Sequence, residues 1–276
     1  MADDQRSGPA ALPPRGDAKT EEFWRNYLTN GDATERKVRA VFRAIPSSPR
    51  CKLCAAPFGG IGAPIMRMMG KRPSDKDPQV CNSCFAFIAK HHGGAEIELS
   101  LLFADIRGST ALAERMSPTA FRALLDRFYR VGSDVVIGHD GGLDKFVGDE
   151  LIAFYFPMMA GEQHAARAVE SATALLRATG HDDPAGPWAP LGVGVHTGMA
   201  WVGAVGDDSH TEITALGDAV NVTARLASLA EQGEVLVTTD AARAAGLQHD
   251  LPARTLELKG KELPTDVVSL RVAPGA

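Results

Sequence analysis

Between positions 99 and 156 the apolar pattern switches from strand-like to helical and back to strand-like, and that order restricts the folds open to the chain. Leu99 to Ala104 is a short apolar run that reads as a buried strand and ends at Asp105. Ser117-Pro118 then predicts a helix start, because the hydroxyl caps and proline at the first helical position forfeits no hydrogen bond. Phe121, Leu124, Leu125, Phe128 and Val131 recur at helical spacing and carry an amphipathic helix to about Ile137. Leu143 to Val147 and Leu151 to Phe156 read as strands joined at Gly148-Asp149, which places Asp149 at a hairpin tip. A second helix over Ala160 to Thr179 is stopped by Gly180. Strand, helix, hairpin and helix predict an α+β sandwich, with helices covering one or both faces of a mixed sheet.

Further along, Leu191 to Val195 and Ala200 to Val205 read as strands around His196-Thr197-Gly198, followed by a strand near Glu212 to Leu216. On the helix predicted over Val220 to Leu229, Asn221 and Arg225 share a face. Strands over Ala253 to Leu258 and Val267 to Val272 flank Lys259-Gly260-Lys261-Glu262. At the other end, Met1 to Lys19 is rich in Pro, Gly, Ala and charge and reads as a disordered tail. Two short helices fit Glu21 to Leu28 and Ala33 to Ile45. The organisation expected is a tail over 1–19, a helical and four-cysteine segment over 20–95, and a larger domain over 96–276.

The 276 residues, 45% hydrophobic and 23% charged, can bury a sizeable core. A net charge of −5 gives no overall electrostatic reason to bind nucleic acid or an anionic membrane. The polar N-terminus lacks the apolar core of a secretory signal. The longest stretch free of Asp, Glu, Lys and Arg, Pro184 to Gly206, reads as turns and strands. No transmembrane segment and a cytoplasmic location are expected.

Asp105 and Asp149 each end an apolar run at a glycine-containing turn, where a carboxylate leaves the core just as the backbone can approach a ligand. Two such carboxylates brought together make a hard oxygen site for Mg²⁺, suited to metal-assisted phosphoryl transfer. The segments Phe103-Ala104-Asp105-Ile106-Arg107-Gly108-Ser109-Thr110, Lys145-Phe146-Val147-Gly148-Asp149-Glu150, Val193 to Gly198 and Leu216 to Arg225 follow one another in an order that resembles the class III nucleotidyl cyclases, the adenylate and guanylate cyclase family. The resemblance runs from about Glu96 to Val272 and implies a ferredoxin-like βαββαβ core.

That resemblance also implies roles. Asp105 and Asp149, with the Ile106 carbonyl, would hold two Mg²⁺ or Mn²⁺ ions, and Gly108, Ser109 and Thr110 would offer N–H groups to a triphosphate. Arg225 matches the family's transition-state arginine and Asn221 the residue that orients the ribose. Lys259 matches a terminal-phosphate lysine, with Lys261 close enough to serve instead. Lys145 matches the adenine-binding lysine of adenylate cyclases, where guanylate cyclases carry glutamate. Its partner is Thr214, where many members have aspartate, and a hydroxyl discriminates less than a carboxylate. The implied activity is conversion of ATP to 3′,5′-cyclic AMP. Guanylate cyclase, a catalytically silent nucleotide-binding domain, a diguanylate cyclase and a zinc-ribbon nucleic-acid binder are the alternatives, the acidic balance weighing against the last. Because the family splits its site between two subunits and this chain carries both sets, a homodimer is implied.

All four cysteines fall in Cys51-Lys52-Leu53-Cys54 and Cys81-Asn82-Ser83-Cys84, a spacing suited to tetrahedral thiolate ligation. Structural Zn²⁺ is the first expectation, with an iron centre or redox pair as alternatives. The glycine-rich, basic-ended stretch Phe58 to Arg72 between the pairs leaves three readings open: packing within this module, docking a regulatory partner, or touching a membrane surface.

Overall fold

The computed structural model describes residues 18–31, 33–206, 211–247, 251–258, 261 and 264–274. Helices α1 (Ala18–Thr29), α2 (Ala33–Ala44), α3 (Gly62–Met68) and α4 (Asn82–Lys90) precede the first strand, β1 (Gly93–Ile106). Then come α5 (Ser109–Arg115), α6 (Pro118–Gly138), the hairpin β2 (Gly142–Val147) and β3 (Glu150–Tyr155), α7 (Pro157–Ala160) and α8 (His164–Ala178). The chain continues through β4 (Leu191–Gly206), β5 (Thr211–Leu216), α9 (Asp218–Leu229), β6 (Glu234–Thr238), α10 (Thr239–Ala244), β7 (Ala253–Leu256) and β8 (Thr265–Arg271). No helix among the described residues is long and apolar enough to cross a membrane.

One mixed sheet runs β2-β3-β1-β4-β6-β8-β7, and β5 pairs with β4. Its first four strands are antiparallel neighbours in the order β2-β3-β1-β4 and, with α6 and α8, form the expected ferredoxin-like βαββαβ core. Alternation along β1 divides the interior. Leu102, Ala104 and Ile106 enter one core with Phe128 of α6 and Leu175 and Leu176 of α8. Leu99, Leu101 and Phe103 enter another with Trp24 and Leu28 of α1 and with Ala219 and Ala227 of α9. From Leu99 to Ala104 the strand is buried on both faces, so this segment lacks polar alternation and Ser100 is its single polar residue.

Two elements differ from the sequence reading. His196-Thr197-Gly198 is not a turn, because β4 is one strand and these residues pair with Leu101, Ser100 and Leu99 of β1. The Ser100 and Thr197 hydroxyls are 2.7 Å apart, so the polar residues satisfy each other across the ladder. The helix expected from Ala160 begins instead at His164, because Gly161, at φ +68°, breaks the chain after α7.

Candidate active site

The β1–β3 register sets Asp105 opposite Glu150, and the Ile106 N–H donates to the Asp149 carbonyl at 3.3 Å. The hairpin tip is thereby fastened to the end of β1. Gly148 turns the chain there with φ +60°, and the Tyr129 hydroxyl donates to its carbonyl. Three carboxyl groups crowd this corner. Burial, more than any other cause, pushes the Asp105 carboxyl up to about 6, and the adjacent Asp149 carboxyl adds to the rise. Burial followed by the charges of Asp105 and Asp149 pushes Glu150 up to about 7. Arg107 answers part of this charge: its guanidinium contacts the Asp105 carboxylate and also donates to the Ser228 carbonyl at 2.8 Å, at the end of α9. Crowded carboxylate oxygens that resist ionisation even with an arginine on one of them suit hard divalent cations, so the donor set fits Mg²⁺ or Mn²⁺.

Just beyond, Gly108 adopts φ +67° as the N-cap of α5, whose first residues are Ser109 and Thr110. No side chain caps this helix start. Its backbone N–H groups are the type of donor that receives phosphate oxygens.

On β2 the pairing with β3 slips between Leu143 and Lys145, leaving Asp144 as the extra residue of a bulge. Leu143 and Phe146 therefore both contribute to the α6–α8 core, although an odd separation would put them on opposite faces of a regular strand. Asp144 and Lys145 are consecutive, yet both reach β5. Lys145 Nζ lies 2.8 Å from Glu212 Oε1 and 3.8 Å from Asp144 Oδ2, and Thr214 Oγ1 donates to Asp144 Oδ2 at 3.4 Å. Three strands separate β2 from β5 along the path β2-β3-β1-β4-β5, so the sheet curls enough to bring Lys145 and Thr214 together.

Helix α9 crosses β4 at Gly194, where a Cβ would stand 2.5 Å from Ala227 N and 2.7 Å from Thr223 O. Only glycine allows that approach, which sets the height of α9 over the sheet. Arg225 is half-buried, and its Nη1 is enclosed with no hydrogen-bond partner among the described residues. A buried guanidinium nitrogen without an acceptor is a site for an anionic oxygen. Asn221, one turn earlier, is exposed. Lys259 lies outside the described residues, and Lys261 Nζ is 2.5 Å from Asp218 Oδ2.

The family model of the adenylate and guanylate cyclase catalytic domain matches residues 95–267. The chain belongs to this family. Adenylate cyclase 1 of Rhizobium meliloti is 31% identical over 188 residues, which are 64% of this chain and 28% of that protein. Adenylate cyclase of Anabaena cylindrica is 28% identical over 174 residues, 59% of this chain and 35% of that one. The chain thus spans about a third or less of the length of these curated relatives. The solved guanylyl cyclase Cya2 superposes with a TM-score of 0.60 at 25% identity, covering 66% of this chain and 95% of that one. Adenylyl cyclase CyaB from P. aeruginosa gives 0.56 at 27% identity, covering 64% and 94%.

Outside the cyclase motifs, the four cysteine sulfurs lie within 4.8 Å of one another and none forms a disulfide. The Cys54 and Cys81 sulfurs are 3.7 Å apart, against about 3.8 Å for a tetrahedral site with Zn–S of about 2.3 Å. The Cys81 N–H points to Cys51 Sγ at 3.2 Å, a contact that stabilises a thiolate ligand. These four thiols can hold one metal ion. A cavity of about 360 Å³ adjoins the cluster, lined largely by apolar groups including Tyr27, Phe42, Phe87 and Ile213.

Sequence reasoning passed over Arg107, Asp144, Glu150 and Glu212. Asp144 left one trace, a carboxylate inside an apolar strand, but its direction depends on the bulge.

Proposed function

We propose that this cyclase is an adenylate cyclase, forming 3′,5′-cyclic AMP and pyrophosphate from ATP at a homodimer interface. The observation that carries this reading is the position of Lys145, whose ammonium is held beside Thr214 by Glu212 and Asp144. A donor at that place suits the N1 acceptor of adenine, and the family's guanylate cyclases carry glutamate there. The ribose 3′-oxygen attacks the α-phosphorus; the new O–P bond forms as the bond to the β-phosphate bridging oxygen breaks. When bound at Asp105, Asp149 and the Ile106 carbonyl, two divalent cations would lower the pKa of the attacking hydroxyl and neutralise the leaving pyrophosphate.

In this reading Arg225 forks onto the phosphoryl oxygens as charge gathers there, and Asn221 holds the ribose. The N–H groups of Gly108, Ser109 and Thr110 receive the triphosphate, and Lys259 its terminal phosphate. The carboxylates of one protomer serve the base, ribose and arginine positions of its partner. Val147, Met199, Leu216 and Leu229, all about half exposed, supply apolar surface for such a contact. The segment over 20–95 carries one structural Zn²⁺ and offers a surface to a regulatory partner; the protein acts in the cytoplasm.

A second reading, guanylate cyclase, draws on the Thr214 hydroxyl, which can donate to a 6-oxo group as well as accept from a 6-amino group. The test is cyclic nucleotide formation by the purified chain with ATP and with GTP, in Mg²⁺ and Mn²⁺, beside Asp105→Ala. Cyclic AMP from ATP, abolished in the variant, is expected. Cyclic GMP as the main product would overturn the adenylate assignment.

A further inference from the structure

A threonine hydroxyl facing the 6-substituent of a purine is ambiguous. Rotated one way it accepts from adenine's amino group, and rotated the other it donates to guanine's 6-oxo group. Something must fix the hydroxyl hydrogen if Thr214 is to discriminate.

The bulge on β2 supplies a candidate. Asp144 is only 4% exposed and is aimed at β5, where its Oδ2 accepts from Thr214 Oγ1 at 3.4 Å. Its other oxygen, Oδ1, is enclosed with no hydrogen-bond partner among the described residues, so this carboxylate is not consumed by structural bonds. Burial pushes the Asp144 carboxyl up to about 6, while Lys145 and Lys52 oppose the rise, leaving an acceptor-only carboxylate at neutral pH. Its backbone is held as well, with Lys52 Nζ 3.3 Å from the Asp144 carbonyl oxygen.

We infer that Asp144 is a positioning residue for base selection: by taking the Thr214 hydroxyl hydrogen, it turns that hydroxyl into an acceptor matched to a 6-aminopurine and mismatched to a 6-oxopurine. The carboxylate that many family members carry at the position of Thr214 is thereby supplied from β2, which the curl of the sheet brings beside β5, and acts through the threonine. This inference rests on the adenylate reading and on Thr214 facing the 6-substituent.

The test compares kcat/KM for ATP and for GTP in the wild-type chain, Asp144→Asn, Thr214→Val and the double variant. Asparagine keeps the shape of the side chain but can donate as well as accept, which frees the hydroxyl. The ATP:GTP ratio is expected to fall roughly tenfold in Asp144→Asn, chiefly through KM for ATP. Adding Asp144→Asn to Thr214→Val should then change the ratio no further, and Thr214→Asp should restore ATP preference in the Asp144→Asn background. A purely structural aspartate would not produce that dependence on position 214.

An unchanged ratio in Asp144→Asn, with cyclic AMP still formed, overturns the inference and leaves the adenylate reading standing. Preference for GTP in the wild-type chain overturns both. Should Asp144→Asn fail to fold, the wild-type ratio measured from pH 7.5 to 5.5 carries the test. The groups facing Asp144 are Lys52, Lys145, Glu212 and Thr214. The same profile taken with Thr214→Val separates whatever the metal-site carboxylates contribute to the ratio in that window. A ratio that falls as Asp144 takes up its proton supports the inference, and a flat one overturns it.

Discussion

Lys52, in the turn between the first two cysteines, reaches strand β2: its Nζ lies 3.3 Å from the carbonyl oxygen of Asp144, the neighbour of Lys145. Lys52 is 8% exposed, and Asp77 Oδ2 lies 3.7 Å from the same ammonium. Arg39 makes a parallel link, donating to the Leu53 carbonyl in the cysteine turn and to the Gly141 carbonyl just before β2, the latter at 2.6 Å. The cysteine segment therefore braces the strand that carries Lys145. Replacing Lys52 by methionine keeps the aliphatic stem and removes the donor. The expected result is a rise in KM for ATP of roughly threefold or more, with a smaller change in kcat. Steady-state kinetics check it, and unchanged constants would reduce the link to packing.

Metal content decides what the four thiols hold. Mass spectrometric metal analysis is expected to find one zinc per chain, colourless, whereas visible absorption bands would indicate iron. Chelation should unfold the small core of Phe42, Met66 and Val80 around the cysteines, and thermal melting should shift downward, because metal binding there is folding free energy. A melting curve indifferent to a strong chelator would contradict a structural metal.

His196 predicts an acid-sensitive step in stability. Its Nδ1 is 2.9 Å from Thr238 Oγ1, and burial pushes the imidazole down to about 4, against the opposing charges of Asp218 and Asp240. The folded pKa lies below the unfolded value of about 6.5, so the unfolded chain takes up the proton first. The stability contribution is whole above pH 6.5 and is lost as pH falls toward 4. Relative to His196→Gln, the wild-type chain should lose on the order of 2–3 kcal/mol across that window in urea unfolding. A constant difference between the two proteins would count against it.

Complementation tests the shared site. Arg225→Ala is expected to lower kcat about 10²–10³-fold with a much smaller change in KM, because the role proposed for the arginine is on transition-state charge. Asp105→Ala should be inactive. If the two sets belong to different protomers, mixing the inactive variants regenerates one intact site per mixed dimer, about a quarter of wild-type activity for random pairing. No recovery, with exchange of protomers verified, would argue for a site within one chain.

Much of the fold was legible because burial leaves a periodic mark. The helical spacing from Phe121 to Val131, the Ser117-Pro118 start and the Gly148-Asp149 hairpin each encode a local preference that the fold respects, and α6, with its Ser117 cap on the Ala120 N–H, follows the expected course. Local preference lost at His196-Thr197-Gly198, where the long ladder to β1 outweighs the turn-forming character of glycine. The first helix was legible as amphipathic, but that it covers the β1 face with Trp24 and Leu28 was not, since periodicity states that a face is apolar without naming what meets it.

The amino-acid sequence by itself determined the βαββαβ order and the residue types at Asp105, Asp149, Lys145, Thr214, Asn221 and Arg225, because strand ends, turns and helix faces are set by neighbours a few residues away. Only the tertiary structure decided how those residues meet. A bulge turns Asp144 and Lys145 to one side, the curl of the sheet carries β5 across to β2, and the cysteine turn delivers Lys52 to the same strand. Each of these is a long-range contact, fixed by packing of the whole sheet between its two cores, and such contacts leave no period in the chain.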